Sequence, residues 1–243
     1  MKYQPRKFEK REKPYKFLTL SFDDGVKQDI RFIELLDKYG LKCTFNLNSG
    51  LFGLVHNLET PDFVVDHSEV ERENVAKVYG GHEVASHSLT HPRLDIISLD
   101  EVKEQIGDDC KELERLTGQK ICGMAYPGGP FYNEDVIKTI VDNTPVRYAR
   151  ITGDSKNFTL PERLMEWQPT CSWRNHHLPE WIEEFKNTKA TEDMLLYVWG
   201  HTYEFDIYDA WEQVEDLLRL MSGDDTITYA TNGEIADYIM NNK

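Results

Sequence analysis

Cysteine is scarce and scattered: Cys43, Cys110, Cys122 and Cys171 are the only four in 243 residues, and no two form a C-x-x-C pair. This spacing excludes a dense disulfide framework and offers no paired ligands for a structural zinc, so four reduced, buried thiols are expected. Long apolar runs are missing too. No stretch approaches the ~18 apolar residues of a membrane span, and the basic segment 2–16 lacks the apolar h-region and small-residue cleavage site of a secretory signal. A cytoplasmic protein is the expectation. Positive charge is also in deficit, 28 Lys and Arg against 43 Asp and Glu for a net charge of −15. Such a field opposes approach to polyanions, so neither nucleic acid nor an anionic membrane is an expected partner. Internal repeats and low-complexity tracts are absent as well.

What is there fits an ordinary globular chain, 40% hydrophobic and 29% charged, of a length that α/β barrels use as one domain. After a polar arm, residues 1–16, a single domain is expected over 17–243. Residues 17–22 read as a buried strand. Residues 28–39 follow as a helix, with Ile30, Ile33 and Leu36 near helical spacing and Gly40 as its stop. The alternation recurs, with strands expected at 41–47, 83–86, 121–126, 146–151, 195–199 and 226–229. Helices are expected at 70–78, 99–116, 134–141, 179–185, 208–221 and 233–240. Alternating strands and helices imply a parallel sheet, and about seven such units favour closure into a barrel over an open doubly wound sheet. Segments 50–68 and 153–179 have weak periodicity and read as long loops on the functional face.

Polar motifs fall where strands end. Asp23-Asp24-Gly25 follows the first strand, His87-Ser-Leu-Thr-His91 a later one, Tyr126-Pro-Gly-Gly129 another, and Gly200-His201 the strand at 195–199. In a parallel barrel all these positions share one rim, the mouth where catalytic groups gather. D-D-G taken alone is equally a tight turn. His87 and His91, four apart, are read as two imidazoles on one side of a helical turn, placed to share a divalent metal.

In this order the motifs resemble the polysaccharide deacetylases with the NodB homology domain, carbohydrate esterase family 4. Ser21-Phe22-Asp23-Asp24-Gly25 is similar to the family's T/S-F-D-D-G motif, His87-Ser-Leu-Thr-His-Pro92 to its H-[S/T]-x-x-H motif, and Cys43-Thr-Phe-Asn46 to its intervening strand. The resemblance implies a deformed (β/α)7 barrel and a divalent metal, Zn²⁺ foremost with Co²⁺ or another ion as alternatives, held by Asp24, His87 and His91. It implies Asp23 as general base and, after a late strand, His201 as general acid. It also implies the backbone N–H of Tyr126 as an oxyanion donor and Trp199 as a wall of the acetyl pocket, though Trp199 is equally placed to be core. The substrate implied is an acetylated carbohydrate.

Two departures stand out. The family's third motif carries an arginine before its proline, but here the run is Ala125-Tyr126-Pro127; Arg150, at the end of the next strand, is the candidate to reach the mouth and pair with Asp23. The fourth motif is not recognisable, and Trp173, His176 and His177 occupy its loop. Among the residues after His201, Asp206 is the expected partner of that histidine. Three functions remain open: removal of N-acetyl from an amino sugar, hydrolysis of an O-acetyl ester or another small amide, and noncatalytic sugar binding. Sequence leaves oligomeric state undetermined.

Overall fold

The computed structural model describes residues 2–242. β1 (Lys16–Asp24) leads to α1 (Gln28–Tyr39) and β2 (Cys43–Leu47). A hairpin of β3 (Asn57–Glu59) and β4 (Val64–Asp66) follows, then α2 (Val75–Val78), β5 (Glu83–Ser86), α3 (Leu99–Thr117), β6 (Gly123–Ala125), α4 (Glu134–Asn143) and β7 (Tyr148–Arg150). The last third holds β8 (Cys171–Ser172), α5 (Leu178–Asn187), β9 (Met194–His201), α6 (Glu204–Ile207), α7 (Trp211–Met221), β10 (Thr228–Tyr229) and α8 (Asn232–Asn242).

The main sheet runs β7-β6-β5-β2-β1-β9-β8, all parallel, with β10 added beside the first residues of β1. Its ends meet through one irregular segment. Trp167 donates to the Ala149 carbonyl and accepts from Ile151 N–H, while Thr170 and β8 pair with β9. The result is a deformed (β/α)7 barrel rather than an open sheet.

The period-2 alternation of a strand explains how β1 serves two cores. Its even-numbered Leu18, Leu20 and Phe22 join the layer between sheet and helices, where the Phe22 and Phe32 rings lie 4.4 Å apart. Odd-numbered residues line the interior in ascending order. Phe17 packs on Tyr15 and Tyr238, Thr19 donates to Asn232 of α8 at 2.8 Å, and Ser21 accepts from Asn46 at 2.8 Å. Asp23 is next in that row, at the mouth. α8 plugs the opposite end, its Gly233 N–H donating to the buried Glu83 carboxylate.

The expected elements shift in several places. The helix expected at 208–221 begins only at Trp211, as α7, after a turn in which Asp209 sits at φ 47°, and the short α6 precedes it. Within 70–78 only a 3₁₀ turn and the short α2 are helical, and β6 and β7 are half the length read from their apolar runs. Segment 50–68 contains the β3–β4 hairpin, and segment 153–179 supplies β8, a barrel strand too short for a sequence pattern to announce. Residues 2–15 form no regular element but are bound to the barrel floor: Tyr3 bonds Thr231, Arg6 pairs with Glu234, and Tyr15 is buried. All four cysteines are free thiols, three of them buried. No helix among the described residues is long and apolar enough to cross a membrane.

Candidate active site

Strand register assembles the mouth. β1 and β9 run in parallel with Asp23 opposite His201, and β1 and β2 with Asp23 opposite Asn46. β5 delivers His87 just past its last residue, and β6 pairs Ala125 with Arg150 of β7. Residues far apart in sequence thus meet because each ends a neighbouring strand.

Asp24, His87 and His91 form a cluster whose ligand atoms all lie within 4.8 Å of one another. Asp24 Oδ1 is 3.5 Å from His87 Nε2 and 3.8 Å from His91 Nε2. The His87 Nδ1 faces the Ala125 carbonyl at 2.9 Å, which puts the ring proton there and leaves the Nε2 lone pair toward Asp24. Burial drives the His87 pKa down to about 4, favouring the neutral ring a metal requires. For Asp24, burial alone would raise the carboxyl; contact with His67 and the charges of His201, His87 and His91 outweigh it and hold the group well below the usual range. Three donors of the right type, converging within 4.8 Å, fit a divalent cation.

The two histidines do not share a helical turn, contrary to the sequence reading. Ser88 and His91 adopt φ 68° and 60°, and Asp24 itself is at φ 81°. These left-handed residues are held by surrounding hydrogen bonds: Asn48 Nδ2 donates to the Ser88 carbonyl at 2.8 Å, and Ser88 Oγ accepts from His91 N–H at 3.0 Å. Backbone strain of this kind concentrates at functional sites.

Asp23 is 2% exposed. Arg150 Nη2 donates to its Oδ2 and Asn46 Nδ2 to its Oδ1 at 2.8 Å, so both oxygens are directed from behind. Arg150 is itself buried and lies against the Trp199 ring, its guanidinium carbon 4.6 Å from the centroid. The guanidinium therefore reaches the mouth from β7, where the sequence reading had sought it. Asn46 was quoted there only as part of a strand; the signal that reveals its role is the β1–β2 register, invisible in one dimension.

His201 Nε2 stands 3.7 Å from Asp23 Oδ2. Its Nδ1 side faces Glu204, not the expected Asp206, with Nδ1 3.8 Å from Glu204 Oε2. Asp206 is occupied elsewhere, accepting from Gln28 and Trp211. Glu204 in turn accepts from Trp173 Nε1 at 2.7 Å and from Arg174 at 3.3 Å. Burial alone would lower the His201 pKa, but Glu204, Asp24 and Asp23 together push it up to about 9.

Tyr126 requires a correction. Its N–H donates to the Arg150 carbonyl at 3.0 Å as part of the sheet, and so is not free for an oxyanion. Its ring is stacked on Tyr132 and bonded through the hydroxyl to Met165, and the residue is part of the cavity lining. Gly128 and Gly129, both at positive φ, line the cavity beside it, and among the described residues their N–H groups donate to no protein acceptor. Trp199 lines the cavity and also packs against the core cluster around Tyr197. The His176 and His177 rings lie against each other at a tilt of 42°, and His177 pairs with Glu180 on the surface; neither lines the cavity.

The cavity has a volume of about 500 Å³ and holds Asp23, Asp24, His87, His91 and His201 in its walls. One side is contributed by the segment with the β3–β4 hairpin, through Leu51, Leu54, Leu58, His56 and His67. His67 Nε2 comes within 3.5 Å of Asp24 Oδ2, a contact sequence reasoning missed because no motif flags it. Glu69, beside it, is pushed up to about 9 by burial and by the Asp24 and Asp29 charges.

Comparison with known proteins agrees with this fold. The family model "Polysaccharide deacetylase" matches residues 10–149. A curated relative from Geobacillus stearothermophilus, described as an uncharacterized 30.6 kDa protein in the fumA 3′ region, is 30% identical over 118 residues, 47% of this chain; the match spans only 38% of that protein's length. Among solved structures, a CE4 family pseudoenzyme from Bacillus anthracis superposes with a TM-score of 0.57 at 20% identity, covering 97% of this chain and 70% of its own. A family 4 carbohydrate esterase from the same organism gives a TM-score of 0.53 at 14% identity, covering 94% and 84%. Both likenesses speak for the fold, and the family match over more than half of the residues goes further: this chain belongs to the polysaccharide deacetylases, the CE4 family of NodB-like barrels.

Proposed function

We propose that the chain is a metal-dependent hydrolase that removes N-acetyl groups from an amino-sugar-containing glycan or saccharide. One observation carries this reading: a carboxylate and two imidazoles that converge as a metal-ligand set share the mouth with a second carboxylate, Asp23, and a cationic histidine, His201. Asp24, His87 and His91 would hold the ion. A divalent cation, Zn²⁺ or another such as Co²⁺, supplies Lewis acidity there, acidifying water and drawing charge from the acyl oxygen.

Every other step belongs to the chain's own residues. Asp23, aimed by Arg150 and Asn46, takes the proton of the attacking water. The N–H groups of Gly128 and Gly129, unpaired in the cavity wall, are the donors assigned to the developing oxyanion in this reading. Leu51, Leu54, Leu58 and Trp199 offer apolar surface to the acetyl methyl. An amine cannot leave as its anion and must be protonated; His201, charged at neutral pH, holds that proton beside the scissile bond, so an amide is favoured over an ester.

Acetate release tests the reading. Dialysis against a chelator should abolish release from chitooligosaccharides or peptidoglycan fragments, and Zn²⁺ or Co²⁺ should restore it. Full activity in metal-free protein would overturn the mechanism. Release from acetylxylan alone would mark an O-acetyl esterase, and binding of saccharide without any release would mark a noncatalytic sugar-binding protein.

A further inference from the structure

His67 lines the cavity but takes no part in the chemistry above. It follows β4 directly, and its Nε2 faces Asp24 Oδ2 at 3.5 Å, whereas Asp24 Oδ1 faces the Nε2 atoms of His87 and His91 at 3.5 and 3.8 Å. The carboxylate is thus approached from two sides, by the two ligand histidines at one oxygen and by His67 at the other.

Backbone pairing fixes this placement. The chain leaving the β3–β4 hairpin is stitched to the turn that follows Asp24. Lys27 N–H donates to the Ser68 carbonyl at 2.9 Å, Val70 N–H donates to the Gly25 carbonyl at 2.9 Å, and Val26 forms an antiparallel bridge with Glu69. His67 N–H donates in turn to the His56 carbonyl at 3.0 Å. Its ring packs against those of Tyr203 and His56, with centroids 4.6 and 5.1 Å away.

We propose that His67 is a positioning residue for Asp24: its Nε2–H holds Oδ2, so that the carboxylate offers Oδ1 alone to a cation shared with His87 and His91. The inference rests on the metal-dependent reading above and deepens it. At 3.5 Å the pair stands at the outer limit of hydrogen bonding, and the carboxylate charge favours the tautomer with its proton on Nε2. His67 does not complete the ligand set itself, because the donors converging within 4.8 Å are those of Asp24, His87 and His91. A carboxylate with both oxygens free can turn to grip an ion with the pair, filling a position that a hydrolytic site keeps open. A donor fixed on the outer oxygen opposes that turn, as outer hydrogen bonds orient metal ligands generally.

Two substitutions separate the nitrogen from the ring. His67→Phe keeps the ring and its packing but removes both nitrogens, whereas His67→Gln keeps an N–H donor at similar reach. Zn²⁺ affinity, measured on metal-free protein by competition with a chelating dye, should weaken about 10–100-fold in His67→Phe and stay near wild type in His67→Gln. The visible absorption bands of the Co²⁺ form, which report coordination geometry, should shift in the first variant and not in the second. Melting of the metal-free proteins verifies folding, and His67→Ala replaces His67→Phe if the larger ring is not accommodated. Unchanged affinity in His67→Phe, or an equal loss in both variants, would overturn the role. A loss as complete as that of His87→Ala would make His67 a ligand and overturn it too. Wild-type protein that takes up no Zn²⁺ would sink this inference and the metal-dependent reading together. Zn²⁺ uptake without acetate release from any sugar would sink only the deacetylase reading, since the comparison of variants would still stand.

Discussion

Each proposed role at the mouth predicts a different failure. Asp23→Asn keeps the shape of the side chain but removes the base, so turnover should fall by about 10²–10⁴-fold while the protein still binds Zn²⁺. His87→Ala should lose both, because a ligand is gone. Metal content measured on the two purified variants separates the roles, and equal content would show that they are misassigned. Glu204 acts on His201 through charge, and the sign can be worked out. The protonated ring is the acid; its pKa, about 9 with Glu204 in place, sets where activity declines as pH rises. Glu204→Gln removes one of the charges that raise it, so the alkaline limb of the kcat/KM profile should move to lower pH. An unmoved limb would exclude Glu204 as the group that tunes the acid. At this scale the sequence was informative wherever chemistry demands a residue type: Asp23, Asp24, His87, His91 and His201 all reach one cavity. It was blind where geometry alone decides. Asp206 and Glu204 are both carboxylates and nearly equally close in sequence, and the short α6 turns only Glu204 toward His201.

Elements position these groups by packing that tolerates little change. Gly200, between Trp199 and His201 in β9, has no side chain because Trp173 occupies the space: an added Cβ would sit 2.2 Å from Trp173 Cδ1. Trp173 is buried, packed edge-on against Phe205 at 4.8 Å and tied to Glu204, so it cannot yield cheaply. Gly200→Ala should cost about 1–3 kcal/mol in urea unfolding and lower turnover as well, since His201 follows immediately. Long amphipathic helices were legible for ordinary reasons; α3 has a capping box from Ser98 and Glu101 at one end and left-handed Gly118 at the other. β8 was not, because two residues are too few for periodicity, and its place in the barrel follows from pairing with β9. The oxyanion assignment to Tyr126 failed for a related reason. Whether a backbone N–H is free depends on the neighbouring strand, here the Arg150 carbonyl.

Across the whole molecule, the candidate metal cluster joins two separate barrel strands, β1 and the end of β5, together with the loop that follows. A cation that binds only the folded arrangement must stabilise the fold by mass action. Zn²⁺ in hundred-fold excess over its Kd should add about 2.7 kcal/mol and raise the melting temperature, and the rise should vanish in His87→Ala. A rise that persists in that variant would place the ion elsewhere. The sequence by itself determined the alternation that builds a parallel barrel and the chemical identity of the groups at its rim, since core burial and catalysis each demand particular residue types at particular spacings. Only the tertiary structure decided how those groups combine. Arg150 and Asn46 meet Asp23, Glu204 faces His201, and the β3–β4 hairpin walls the cavity, because register and loop packing are set by contacts between segments distant along the chain.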